Sequence, residues 1–200
     1  MQIFRFLLIA LVIQPAISLA VDLQPNDIVA PLPNKNHAMM SYVNTDNTTY
    51  YRNGSAVSTR PYGSPDIGTQ LANLRLVTSY TFQNLPAVSY LQLPYGNIKP
   101  AGSLAMYPGN TGFGDVTLAT AFWPYSNRET RKYFGMAGYL SLPTGSYNSQ
   151  QVFNIGENRF RTDIQMGFQT PLTNTIDGMI AVDTRWFGGN SQCASACGLA

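Results

Sequence analysis

The stretch from Arg159 to Thr170 alternates with a period of two. Phe160, Thr162, Ile164, Met166 and Phe168 fall on one face; Arg159, Arg161, Asp163, Gln165, Gly167 and Gln169 fall on the other. Successive side chains of a β-strand point to opposite sides of its sheet, so this pattern predicts a strand with one apolar and one polar face. Residues 175–187 repeat it, with Ile176, Ile180, Val182, Thr184 and Trp186 against Asp177, Asp183 and Arg185. Residues 71–82 set Leu74, Leu76, Tyr80 and Phe82 opposite Asn73, Arg75 and Ser79. Weaker versions lie at 37–45, 86–94, 114–124 and 131–142. No stretch after residue 36 shows helical periodicity, so the chain is read as all-β.

Several of these runs are about ten to thirteen residues long, beyond the usual strand of about 5–6. A tilted strand of a membrane β-barrel needs roughly 9–11 residues. Aromatic residues near the strand ends suit the interfacial girdles of such a barrel: Tyr80, Phe82, Phe122, Trp123, Tyr133, Phe134, Phe160, Phe168, Trp186 and Phe187. A soluble β-sandwich produces the same alternation, with its apolar face turned to a core, so alternation alone leaves both open. The connections favour the barrel. Those at 83–85, 125–130 and 171–174 are short, while 95–113 and 143–157 are long and rich in Gly, Pro, Asn and Ser. Alternating short and long connections are the rhythm of periplasmic turns and extracellular loops. With a periplasmic N-terminus, 46–70 becomes an outside loop, with a small hairpin around Tyr50, Tyr51 and Gly54. The expected fold is an antiparallel up-and-down transmembrane β-barrel, incomplete, with about seven strands in this chain.

Composition narrows the function. Charged residues are 11% of the 200, against roughly 25% in an ordinary soluble domain. Mean hydropathy is nevertheless only −0.08. After the N-terminal region no apolar run approaches the roughly 18 residues of a membrane helix. No Lys/Arg cluster exists to neutralise phosphates, so a nucleic-acid partner is not expected. Met1 to Arg5 form a short basic region, Phe6 to Ile13 an apolar one, and Ser18-Leu19-Ala20 a small-x-small site. This reads as a secretory signal peptide over 1–20, cut after Ala20. The alternative, an N-terminal anchor, would need a longer apolar run. Residues 21–36 carry three prolines and read as a periplasmic lead-in, 37–187 as the barrel domain, and 188–200 as an irregular tail.

Charges set the register of the last hairpin. One alignment places Arg161 opposite Arg185 and Asp163 opposite Asp183, and like charges directly opposed are destabilising. The neighbouring one places Asp163 opposite Arg185 and Phe168 opposite Ile180, with Thr173-Asn174-Thr175 as a three-residue turn. An Asp163–Arg185 ion pair facing the lumen is therefore expected.

Other motifs point to no chemistry. Gly109, Gly112 and Gly114 open a strand rather than a helix, so no phosphate loop is expected. Asn47-Thr48-Thr49 and Asn53-Gly54-Ser55 are formal glycosylation sequons, which matter only in a eukaryotic source. Cys193 and Cys197 would close only a tiny loop, and the one histidine, His37, lies far from them, so no metal site is expected. Asp163 with Asp177 or Asp183 could form an acid/base pair, but a charge ladder with Arg161 and Arg185 accounts for them. No enzyme and no cofactor are expected.

Three segments carry a resemblance: Gly112-Phe113-Gly114-Asp115 running on to Pro124, Tyr139-Leu140-Ser141-Leu142-Pro143-Thr144-Gly145-Ser146-Tyr147, and Asn154-Ile155-Gly156-Glu157-Asn158-Arg159-Phe160. In order and spacing the chain resembles, from about Pro25 to Phe187, the bacterial outer-membrane, transporter-like family labelled phenol-degradation meta-pathway proteins. The resemblance implies an outer-membrane β-barrel, exported by its signal peptide and inserted by the barrel-assembly machinery. It also implies a channel for small hydrophobic or aromatic compounds linked to aromatic degradation. It brings no catalytic or ligand residues. Members of the family run longer, and the small, polar tail at 188–200 together with an odd strand count suggests a shortened chain.

The combined expectation is a diffusive channel with outer-membrane lipid and a small hydrophobic or aromatic solute as partners. Its lumen would be lined by Arg159, Arg161, Asp163, Gln165, Asp177, Asp183 and Arg185. Phe160, Ile164, Met166, Phe168, Ile180, Val182 and Trp186 would face lipid. The alternatives are a secreted or periplasmic all-β binding module and a structural barrel that transports nothing, since small barrels enclose only enough space for side chains.

Overall fold

The computed structural model describes residues 27–56 and 63–192. The expected signal peptide, with its cleavage site at Ala20, and Cys193 and Cys197 lie outside the described residues.

The described chain contains ten strands and no helix: β1 (Lys35–Asn47), β2 (Tyr51–Arg52), β3 (Ser55–Ala56), β4 (Pro65–Phe82), β5 (Leu85–Gly102), β6 (Asn110–Phe113), β7 (Thr117–Asn127), β8 (Lys132–Ser141), β9 (Arg161–Pro171) and β10 (Asp177–Phe187). One antiparallel sheet runs β1-β4-β5-β7-β8-β9-β10, with β6 also paired to β5. Because β6 and β7 share β5 as neighbour, they act as one strand interrupted at 114–116, leaving seven long strands in up-and-down order. The sheet is open, since β1 and β10 are not paired with each other. Among the described residues no second sheet packs against it as a sandwich requires; β2 and β3 form only a small separate hairpin. That hairpin lies between β1 and β4, a connection shorter than the expected 46–70 loop because β4 already starts at Pro65, and it turns at Asn53-Gly54, both at positive φ, as a tight two-residue turn demands.

The short connections follow turn chemistry. Gln83 and Asn84 both take positive φ between β4 and β5, a two-residue hairpin turn whose twist matches the strands. The β9–β10 hairpin closes over 173–175, with Leu172 N donating to Ile176 O at 2.8 Å.

Two expectations need correction. The long connection expected at 95–113 is mostly strand, because β5 runs on to Gly102 and β6 pairs back on it. Pro94 and Pro100, which argue against a strand, lie outside the stretches of β5 paired with β6 or β7. There the missing N–H is tolerated, as at a sheet edge. At 18 residues each, β4 and β5 extend roughly 60 Å, well past what a bilayer core needs. Second, Trp123 and Tyr133 do not belong to an outward girdle. Both are buried, packed with Ile28 and Ala30. A bulge between Phe122 and Tyr125 adds one residue to β7, so its inside–outside parity reverses there. Trp123 points with the polar face, whereas Tyr125 is exposed.

Candidate functional site

The two faces of the sheet are inverted relative to a soluble protein. On the last hairpin the polar side chains are shielded, with Asp163 at 3%, Gln165 at 5% and Gln169 at 4% exposure, while Ile180 at 68% and Val182 at 65% are open. Phe160, Ile164, Met166, Phe168 and Trp186 share the open face. A contiguous apolar face turned outward, behind a shielded polar one, is the arrangement a strand adopts with lipid as its solvent.

The register sets the polar face in order. Arg185 is directly opposite Asp163, and Asp183 is opposite Gln165. Asp163 is bound by Arg185 Nε, and Arg161 Nε approaches its other oxygen at 3.7 Å. Arg161 also donates to Glu157 Oε1 at 2.6 Å and to Ser141 Oγ at 3.2 Å. Glu157 Oε2 accepts from Arg159 Nε at 3.0 Å, and the Arg159 guanidinium lies 4.3 Å from the centre of the Phe187 ring. The result is a ladder of alternating sign, Arg185–Asp163–Arg161–Glu157–Arg159, in which each buried charge is paired. Asp177 stands apart from it. It is exposed at the start of β10, where it pairs with Arg131 of the neighbouring turn at 3.4 Å. Arg159 and Phe160 precede β9, although Gly188 N still donates to Phe160 O at 2.7 Å.

The three sequence motifs meet at one carboxylate. Asp115 accepts from Gly145 N through Oδ1 and from Glu157 N through Oδ2, both at 2.8 Å. The backbones of Gly145 and Gly156 touch, and a Cβ on either would come within 2.8 Å of the other residue. Ser146 N donates to Phe113 O and Gly156 N to Ser146 O. The loop after β8 is thereby folded back so that Glu157 meets Arg159 and Arg161. The motifs were legible; the role of Asp115 and Glu157 as clasp was not, because the contact spans some 30 to 40 residues of chain.

The lead-in also reaches the polar face. Trp123 Nε1 donates to Ile28 O at 2.8 Å, Arg128 Nη2 to Ala30 O, and Ser79 Oγ to Leu32 O at 2.7 Å. Ile28 lies over Gly167, where a Cβ would come 2.1 Å from Ile28 Cδ1. Beside it stand residues not singled out from sequence. Arg75 donates through Nε and Nη2 to Gln92 Oε1 and lies 4.5 Å from the centre of the Tyr90 ring. Tyr90 meets Tyr139 edge-on at 6.3 Å, and Tyr139 Oη donates to Gln165 Oε1 at 2.9 Å.

The family described as "Putative MetA-pathway of phenol degradation" matches residues 47–195. The chain belongs to that family. Among solved structures it is similar to the crystal structure of an outer membrane channel from Pseudomonas putida F1, with a TM-score of 0.80 and 25% identity. The match covers 88% of this chain and 64% of that one, so the chain spans under two thirds of the channel's length. No curated protein matches the chain. The chain's antiparallel sheet, open between β1 and β10, has the fold of an outer-membrane β-barrel, as the resemblance implied.

Proposed function

We propose that the chain forms the wall of a bacterial outer-membrane channel that passes small hydrophobic or aromatic compounds by diffusion. One observation carries this reading: the apolar face is turned outward and the charge ladder inward, on a sheet shared with a known channel. Phe160, Ile164, Met166, Phe168, Ile180, Val182 and Trp186 face outer-membrane lipid. Arg159, Arg161, Asp163, Gln165, Asp183 and Arg185 face the lumen, with Asp177 at its turn-side rim. A signal peptide cut after Ala20 exports the chain, and the barrel-assembly machinery inserts it. No catalytic step and no cofactor take part.

A second reading, a filled barrel that conducts nothing, draws support from Ile28 and Ala30 packed on Trp123 and Tyr133. Vesicle experiments separate the two. The channel reading expects phenol to enter vesicles holding the folded protein faster than empty vesicles. Equal rates from correctly inserted protein reject it.

A further inference from the structure

On the polar face, the lead-in roofs a cavity of about 230 Å³. Asp27, Arg75, Tyr90, Trp123, Tyr139 and Gln165 are among its walls. We propose that it is a binding subsite for a neutral, single-ring hydroxylated aromatic, with phenol as the simplest case. The inference rests on the channel reading above, which assigns no residue to any solute.

Size comes first. An engineered apolar cavity of roughly 150 Å³ holds benzene, so this one accommodates a single ring with a polar substituent. The wall chemistry comes second. Tyr90, Tyr139 and Trp123 present ring faces and edges on which another ring packs in offset or edge-on geometry. Polar recognition comes third. Nε and Nη2 of Arg75 are committed to Gln92, and among the described residues its Nη1 has no acceptor. The guanidinium can donate to a hydroxyl oxygen, and the Asp27 carboxylate, with lone pairs beyond the interaction it already makes, can accept a hydrogen bond from that hydroxyl. One positive and one negative group at the same cavity select a neutral molecule that both donates and accepts. A benzoate would bring a second carboxylate against Asp27, and an aliphatic alcohol would forgo the ring contacts.

Trp123 is a built-in reporter, because the only other tryptophan, Trp186, lies on the outward face. In the Trp186→Phe chain, folded in detergent, Trp123 emission is followed while phenol, benzoate or cyclohexanol is added. The proposal expects a saturable response to phenol, with benzoate and cyclohexanol weaker by about tenfold or more. Asp27→Asn should bring benzoate close to phenol, and Arg75→Met should abolish the phenol response. Ala121→Leu, which adds bulk to the cavity wall and removes no polar group, should abolish it too, and this variant decides if Arg75→Met does not fold. A non-saturable response, or equal responses to all three compounds, overturns the subsite. Phenol flux into vesicles without saturable binding overturns the subsite and leaves the channel reading standing; saturable binding without flux upholds the subsite and rejects the channel.

Discussion

Arg185 and Asp163 stand directly opposite each other on the polar face of the last hairpin, joined as an ion pair. Asp163 is buried, so its charge depends on Arg185 and Arg161. Breaking one member of a buried pair strands the other charge, at a cost of about 3–5 kcal/mol. Arg185→Leu should therefore destabilise the folded sheet by about that amount in urea unfolding from vesicles. The double variant Asp163→Leu/Arg185→Leu should recover most of the loss, since no buried charge remains unpaired. A double variant no better than Arg185→Leu would show that the pair does not set the register.

The outward face makes the opposite demand. Ile164 and Val182 are exposed there, on neighbouring strands. An arginine at either position near the bilayer midplane should cost ~2–4 kcal/mol. Ile164→Arg and Val182→Arg should each reduce the folded fraction that migrates faster than heated protein on a gel. A polar replacement on the inward face, Gln165→Asn, should leave it unchanged. Wild-type assembly of both arginine variants would place that face in water.

How much of this was legible in the sequence depends on how local the signal is. The β9–β10 register is readable because only one alignment avoids opposed like charges, and Asn53-Gly54 announces its hairpin by turn chemistry alone. The full length of β5 is hidden behind Pro94 and Pro100, whose tolerance depends on where β6 and β7 pair. Trp123 keeps the alternation of Ala119 on the shielded face, which its place near a strand end does not reveal, while the residue inserted beyond Phe122 turns Tyr125 outward. The cavity is invisible to any pattern of spacing. Its walls come from the lead-in, β1, β4, β5, β7, β8 and β9, joined only by packing.

Asp115 ties the motif segments together, accepting from Gly145 N and Glu157 N. Hydrogen bonds to a charged acceptor contribute about 1.5–3 kcal/mol each. Asp115→Ala should raise hydrogen exchange at the Gly145 and Glu157 amides by one to two orders of magnitude, roughly what such a loss implies. Strand amides of β9 should stay protected. Gly156→Ala tests the same clasp by crowding, since its Cβ would lie 2.7 Å from Gly145 C. Overpacking of this kind costs about 1–3 kcal/mol. Unchanged loop exchange in both variants would mean that something else holds the loop.

Gly167 tests how the lead-in is seated. A Cβ there would lie 2.1 Å from Ile28 Cδ1, and Gly167 faces Gly135 and Ala181 on the adjoining strands. Three small residues side by side leave the depression that Ile28 occupies. Ile28 Cδ1 is the end of a side chain that can rotate, so Gly167→Ala should be absorbed with little loss. Gly167→Val extends further and is stiff at χ1, so it should lift residues 27–30 off the sheet. Trp123 would then lose its Ile28 carbonyl partner and meet water, shifting its emission to the red in the Trp186→Phe background. The sheet itself should remain folded by circular dichroism. A valine variant with unshifted Trp123 emission would show that Ile28 does not anchor the segment.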